Sequence, residues 1–204
     1  MTTTTAGTYT TTVGSQTLDL PLVALSDELT IALLICVDLG VKFAETAGRE
    51  LAEIMRPAEP DIVVSVATMG IPLAIEASRA LALDDYVILH KTPKIHLGET
   101  WSEPVYSITT DKPQRLRMDP ARVDAVRGRR VAVVDDVIST GASLSSALRL
   151  VRRMDAEPVV IGTLMTEGGG WKRALGDDAA LVRTLGAMPL FHPDGHGGLV
   201  EDWD

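Results

Sequence analysis

The chain has 204 residues, 46% of them hydrophobic, with 28 acidic against 19 basic side chains and a net charge of -9. That length suits one domain with a full core, and the acidic balance argues against nucleic acid as a main partner. A single cysteine, Cys36, excludes an internal disulfide and fits a reducing compartment. No apolar run is long enough to span a membrane, and the Thr-rich start lacks the regions of a signal peptide, so a cytoplasmic protein without a membrane partner is expected.

Residues 1–14 (MTTTTAGTYTTTVG) are low in complexity and read as a flexible start; their Thr and Tyr content also suits a β-hairpin arm. Leu18–Val23 reads as a short extended piece. The apolar run over 29–37 fits a buried helix or a strand equally well. Residues 41–55 read as an amphipathic helix with Phe43, Ala47, Leu51 and Ile54 on one face, ended by Pro57 and Pro60. Asp61–Ala67 (DIVVSVA) is a buried strand running into Thr68-Met69-Gly70-Ile71-Pro72, then a helix through Leu73, Ala77, Ala80 and Leu81, with Pro72 in the first turn.

Tyr86–Leu89 is a third strand, followed by a polar, mixed stretch over 91–103. Val105–Ile108 and Gln114–Met118 read as two antiparallel strands about a turn at Thr110–Pro113. Val131–Val134 is a further strand, then a helix through Leu144, Ala147, Leu148, Val151 and Met154. Pro158–Leu164 follows as a strand, Thr166–Gly170 as a flexible turn, and Leu181–Leu185 as a last strand before a polar tail over 192–204. Alternation of strands and helices across 61–165 predicts an α/β fold with a mainly parallel twisted sheet flanked by helices. Ligands in such sheets bind at the carboxyl ends of the strands. The loops after Ala67, Leu89 and Val134 should therefore share one crevice. No repeat or linker divides the chain, so residues 1–204 read as a single domain.

The most informative stretch is Val131–Ser143. Four apolar residues lead into Asp135-Asp136, then into the small and hydroxyl residues Ser139-Thr140-Gly141-Ala142-Ser143. A strand–loop–helix junction of this kind offers free backbone N–H groups and a positive dipole end to an anion. The paired carboxylates would repel a phosphate but suit two sugar hydroxyls, each donating to a carboxylate. A ribose 5-phosphate satisfies both halves. The motif has no Gly-Lys-Ser/Thr of a Walker loop and no dinucleotide glycine spacing. The acidic net charge sits awkwardly with a polyanionic substrate unless basic residues gather at the site and a divalent metal accompanies the substrate.

The run VVDDVISTGAS resembles the signature of the type I phosphoribosyltransferases, and PVYSIT at 104–109 resembles the loop-return strand of the xanthine-type members. The resemblance spans about residues 60–167. It implies that residues 139–143 bind the 5-phosphate of phosphoribosyl pyrophosphate and that Asp135 and Asp136 hold its ribose. It further implies that Ala67, Thr68, Met69 and Gly70 form the pyrophosphate loop, Gly70 by permitting an unusual backbone angle. Adenine-type members often carry Glu-Ser-Arg where this chain has Ala67-Thr68-Met69, which removes one expected cation. Lys91 is the first choice for a side-chain contact to pyrophosphate and Lys94 the second, with the following loop closing over the site and excluding water. His90 and His96 are secondary candidates there. Trp101 would cover the closed site or pack at a dimer interface.

By the same resemblance a small hood from about 15–40 and 166–204 selects the base. Glu167 falls near a position where some 6-oxopurine enzymes carry a lysine; a carboxylate there would accept from a 6-amino group. The bland alternative is a solvated turn residue. Phe191, Leu190 and Trp171 are candidates for stacking on the base or for core packing. The resemblance implies a purine phosphoribosyltransferase, adenine favoured with xanthine and guanine open, using Mg2+ and forming a homodimer. Two alternatives stay in view: a regulator that senses phosphoribosyl pyrophosphate without chemistry, and an enzyme for a non-purine acceptor such as orotate.

Overall fold

The computed structural model describes residues 5–92, 101–105 and 114–204. In chain order its strands and α-helices are β1 (Thr5–Val13), β2 (Gln16–Ala24), β3 (Thr30–Ala32), α1 (Gly40–Met55), β4 (Ile62–Val66), α2 (Gly70–Leu81) and β5 (Tyr86–Leu89). The second half adds β6 (Trp101–Val105), β7 (Gln114–Met118), β8 (Arg130–Ile138), α3 (Ala142–Arg153), β9 (Glu157–Glu167), α4 (Trp171–Leu175), β10 (Val182–Met188), β11 (Leu190–Pro193) and β12 (Leu199–Asp202). The expected α/β architecture is present. A five-stranded sheet in the order β10-β9-β8-β4-β5 is parallel throughout.

Alternation along the strands sorts their side chains into two cores. Ile62 and Val64 of β4 and Val131 and Val133 of β8 face α3 and its Leu144, Leu148 and Val151. Val63 of β4 and Ala132 and Val134 of β8 face α1 and α2, with Phe43, Ala47, Leu51 and Leu73. The central strands are thus covered on both sides, which is why they read as unbroken apolar runs. Each fully buried valine or leucine contributes roughly 1.5–3 kcal/mol. Among the described residues no helix is long and apolar enough to cross a membrane.

Several expectations need correction. The segment over 5–13 is ordered into a strand rather than a flexible start, and the hairpin alternative holds. β1 pairs with β2 in antiparallel register, with Val13 opposite Gln16 across a Gly14-Ser15 turn. Burial of Val13 and the Gly14 N–H donated to Leu185 O at 3.0 Å dock the hairpin on the parallel sheet. The run over 29–37 is neither one helix nor one strand: β3 is short, and Cys36–Asp38 forms a 3-10 turn.

β11 and β12 form an antiparallel pair that joins β3, completing a second sheet in the order β1-β2-β3-β11-β12. This sheet draws on the segments expected to form the hood, with β1 added. β6 runs Trp101–Val105 and pairs with β7, Val105 opposite Gln114; residues 106–108 of the expected strand Val105–Ile108 lie outside the described residues. The turn between them lies outside the described residues. β8 and β9 both run further than their apolar cores, β8 through the two aspartates and β9 to Glu167, because parallel pairing continues from Asp135 opposite Thr163 to Ile138 opposite Thr166.

Candidate active site

The carboxyl ends of β4, β5 and β8 open into a cleft of about 190 Å³, lined by Ala67, Thr68, Met69, Lys91, Asp135, Asp136 and the loop Ser139–Ser143 among others. The three predicted loops therefore meet in one crevice.

The loop after β8 is shaped by Gly141. Its φ of +75° lies in the left-handed region, and a Cβ there would come within 3.2 Å of both Ala174 Cβ and the Trp171 carbonyl oxygen. Both reasons require glycine. The turn ends in α3, whose first-turn amides have no intrahelical acceptor and face the cleft residues Ala142–Leu144. Thr140 Oγ1 takes one of them, accepting from Ala142 N at 3.3 Å. Serine and threonine hydroxyls ring the same space, as an anion site demands.

Asp135 and Asp136 sit on the cleft floor at the end of β8. Asp136 N–H donates to Asp135 Oδ1 at 3.1 Å. Burial pushes the Asp135 carboxyl up to about 8, with the charge of Asp136 beside it adding to the rise and Lys91 opposing it. Burial also raises Asp136, against hydrogen bonds from Asp135 and backbone amides. Two adjacent carboxyls in a low-dielectric floor cannot both ionise cheaply. Donors from a polyol would relieve them.

The opposite wall is the turn between β4 and α2, in which the Ala67–Thr68 peptide is cis. Ala67 N–H donates to Leu89 O at 2.8 Å, and the Cys36 thiol donates to Met69 O at 2.8 Å. Cys36 is buried, and burial with the nearby aspartates holds its thiol at about 12; it is a packed tether, not a nucleophile. Gly70 acts differently from expectation. It adopts no left-handed angle; it opens α2 with its Cα pressed against the Ser65 hydroxyl, where a Cβ has no room. Its requirement is close approach.

Lys91 lines the cleft as expected. Its backbone carbonyl accepts from Arg117 Nη1 at 2.9 Å, and His90 exchanges both backbone hydrogen bonds with Arg117. Arg117 thereby fixes the base of Lys91. The sequence reading missed this residue, because its place beside Lys91 depends on the bridge between His90 and β7. Lys94 and His96 lie outside the described residues. Trp101 lies in β6 with the Arg153 guanidinium 5.6 Å from its ring centre.

The proposed base contacts lie elsewhere. Glu167 is neither on the cleft wall nor a solvated turn residue: it ends β9 and is 5% exposed, and burial raises its carboxyl above the usual range. Phe191 is 4% exposed and packs edge-on against Tyr9, ring centres 5.2 Å apart; hood strands bury it in the core. Trp171 is buried, its Nε1 donating to Gly168 O at 3.1 Å.

Magnesium keeps most of its waters and favours oxygen ligands. The floor offers it two adjacent carboxylates, and no cluster of three or more His, Cys, Asp or Glu suited to a metal occurs among the described residues. That donor set fits an ion carried in by the oxygens of a substrate.

Comparison with known proteins agrees with this geometry. A xanthine phosphoribosyltransferase of Laribacter hongkongensis is 27% identical over 131 residues, 64% of this chain and 68% of that protein. The purine biosynthesis transcriptional repressor PurR of Bacillus subtilis is 29% identical over 143 residues, 70% of this chain but 49% of the repressor. An adenine phosphoribosyltransferase structure from Rhodothermus marinus superposes with a TM-score of 0.62 at 25% identity, covering 74% of this chain and 83% of that one. The family model for the phosphoribosyl transferase domain matches residues 42–189, from the third residue of α1 to the residue after β10, and so takes in every loop of the cleft. With its parallel core, acid pair and phosphate-type loop in that span, the chain belongs to the phosphoribosyl transferase domain family.

Proposed function

We propose that this chain is a purine phosphoribosyltransferase, moving the 5-phosphoribosyl group of phosphoribosyl pyrophosphate to a purine base and releasing pyrophosphate. The observation that carries the proposal is the convergence of three loops on one cleft: an anion-type loop at 139–143, a carboxyl pair at 135–136, and a second turn at 67–69 beside Lys91. Ser139, Thr140, Ser143 and the first-turn amides of α3 would hold the 5-phosphate, far from the bond that breaks, and supply binding energy for the reaction. Asp135 and Asp136 would accept from the ribose hydroxyls. As the anomeric carbon parts from pyrophosphate it gains positive charge, which the acid pair stabilises once ionised. The base nitrogen then takes the same carbon. Ala67, Thr68, Met69 and Lys91 would hold the departing pyrophosphate. Magnesium, when bound with the substrate, supplies charge neutralisation on the leaving group.

Adenine stands first in the proposal on the likeness to the Rhodothermus structure, with xanthine next on the Laribacter relative. The carboxylate argument for adenine no longer contributes, because Glu167 is buried at the end of β9 and does not line the cleft. A homodimer and a cytoplasmic setting belong to the proposal through the resemblance and the single buried cysteine. The deciding experiment is a panel of adenine, xanthine, guanine, hypoxanthine and orotate with phosphoribosyl pyrophosphate and magnesium, read as pyrophosphate release. We expect one purine to dominate. No release with any base would refute the enzyme.

The second reading is a sensor of phosphoribosyl pyrophosphate that performs no chemistry, favoured by the match of most of this chain to about half of PurR. Binding of phosphoribosyl pyrophosphate without turnover of any base, together with salt-dependent retention of DNA in a gel shift, would support it over the enzyme.

A further inference from the structure

Lys91 is the one basic side chain among the described residues that line the cleft. Ala67, Thr68 and Met69 on the opposite wall bring no charge. The negative charge of a departing pyrophosphate therefore falls on Lys91, and on whatever holds Lys91 in place. Its own charge already reaches the cleft floor, where it lowers the carboxyls of Asp135 and Asp136 against the rise that burial imposes.

Lys91 lies where its strand loses support. β5 is an edge strand, and its ladder with β4 ends at Leu89 opposite Val66. The Ala67 N–H bond to Leu89 O, at 2.8 Å, follows as β4 turns into the cleft wall. Beyond that point the chain is held from the other side, by β7. His90 N–H donates to Arg117 O at 2.8 Å, and Arg117 N–H donates to His90 O at 2.9 Å, a lone antiparallel bridge.

The Arg117 side chain completes the hold. Leu116 and Met118 on either side of it are fully buried, so alternation along β7 puts Arg117 on the opposite face. There its Nη1 donates to Lys91 O at 2.9 Å and to Arg115 O at 3.0 Å. One guanidinium nitrogen thus ties the root of the cleft lysine to β7. A charged donor makes these bonds stronger than neutral ones, and the planar guanidinium fixes their direction. Lysine is a long side chain with many rotamers, so a loosened backbone at residue 91 would spread its ammonium over many positions.

We infer that Arg117 is a positioning residue for the leaving-group side of the cleft, holding the Lys91 backbone so that the ammonium meets pyrophosphate. The inference rests on the reading of Lys91 and the 67–69 turn as the pyrophosphate site. It gives β7, whose residues do not line the cleft, a share in binding the leaving group.

The test is calorimetric titration of pyrophosphate with magnesium, and separately of ribose 5-phosphate, into wild type, Arg117→Met, Lys91→Ala and the double variant. Methionine keeps the apolar stem of the side chain and removes its donors. We expect Arg117→Met to weaken pyrophosphate binding about tenfold and to leave ribose 5-phosphate within about twofold of wild type. In the Lys91→Ala background the same substitution should change pyrophosphate affinity by less than about twofold, because the ammonium it places is gone. Arg117→Gln, too short to tie the two carbonyls, should behave as Arg117→Met does and keeps the inference testable if that variant does not fold. Wild-type affinity for pyrophosphate in the Arg117 variants would overturn the inference. An equal loss for ribose 5-phosphate would also overturn it, since that marks general damage. So would a loss that persists without the Lys91 ammonium, since Arg117 would then act on the anion by its own charge. Absence of pyrophosphate binding by wild type would instead overturn the pyrophosphate-site reading, and the inference with it.

Discussion

Ser65 Oγ donates a 2.6 Å hydrogen bond to the carbonyl oxygen of Val134, so a fully buried hydroxyl ties the two central strands together one residue before the acid pair. Gly70 at the start of α2 lies against the same hydroxyl, and Asp135 Oδ1 borders the space. We expect Gly70→Ala to force the Ser65 hydroxyl off its acceptor and cost about 1–3 kcal/mol in urea unfolding, with a lower kcat/KM because Asp135 shares that wall. Adding Ser65→Ala should recover much of the loss, since the other close neighbours stand at 3.4 Å. A double variant as unstable as the two single effects summed would show that the two sites do not compete.

The acid pair sets a pH dependence of stability. Asp135 is raised to about 8 by burial and by Asp136, whereas an unfolded aspartate titrates near 4. Between those values the folded, ligand-free protein holds protons that the unfolded chain has released. Its contribution to stability is therefore full below the unfolded value and is lost as pH rises toward 8. Scanning calorimetry should find Tm falling by about 3–5 °C per pH unit per proton in that window. Asp135→Asn should flatten the fall; an unchanged slope would place the linkage elsewhere.

Loss of charge on the cleft floor and loss of the cation on its wall should be kinetically distinct. Asp135→Asn with Asp136→Asn should lower kcat by about a hundredfold or more while circular dichroism stays native. Lys91→Ala should chiefly raise KM for phosphoribosyl pyrophosphate, by about 10–100-fold for one charge-assisted contact. Steady-state kinetics with both substrates varied separates the two patterns. Near-normal kcat in the double variant would remove the ribose from Asp135 and Asp136.

The core was readable because its signals are local. Buried parallel strands such as Ile62–Val66 and Val131–Val134 are short apolar runs, and the residues that bind ligand follow them directly in sequence. The hood was not readable for the opposite reason. β3 holds three residues, and β11 and β12 four each, too short to show a period. Their stability comes from pairing across the chain, as Thr30 opposite Phe191. Glu167 and Arg117 illustrate the same limit. Glu167 was misread as a turn residue because the β9 ladder carries it past its apolar stretch, and the role of Arg117 depends on the bridge between His90 and β7. Neither partner is a neighbour in sequence.

The pairing of Leu190 with Ile31 also dictates an order of assembly. On a growing chain β3 has β2 on one side and nothing on the other until β11 has been synthesised. Closing so long a loop is slow and entropically costly, and an open strand edge is a hazard in the interval. The central pair β4 and β8, closed by a shorter loop (Ile62 opposite Val131), should thus form before the β3–β11 edge seals, and pulse-labelled amide exchange during refolding should find β8 protected ahead of β3.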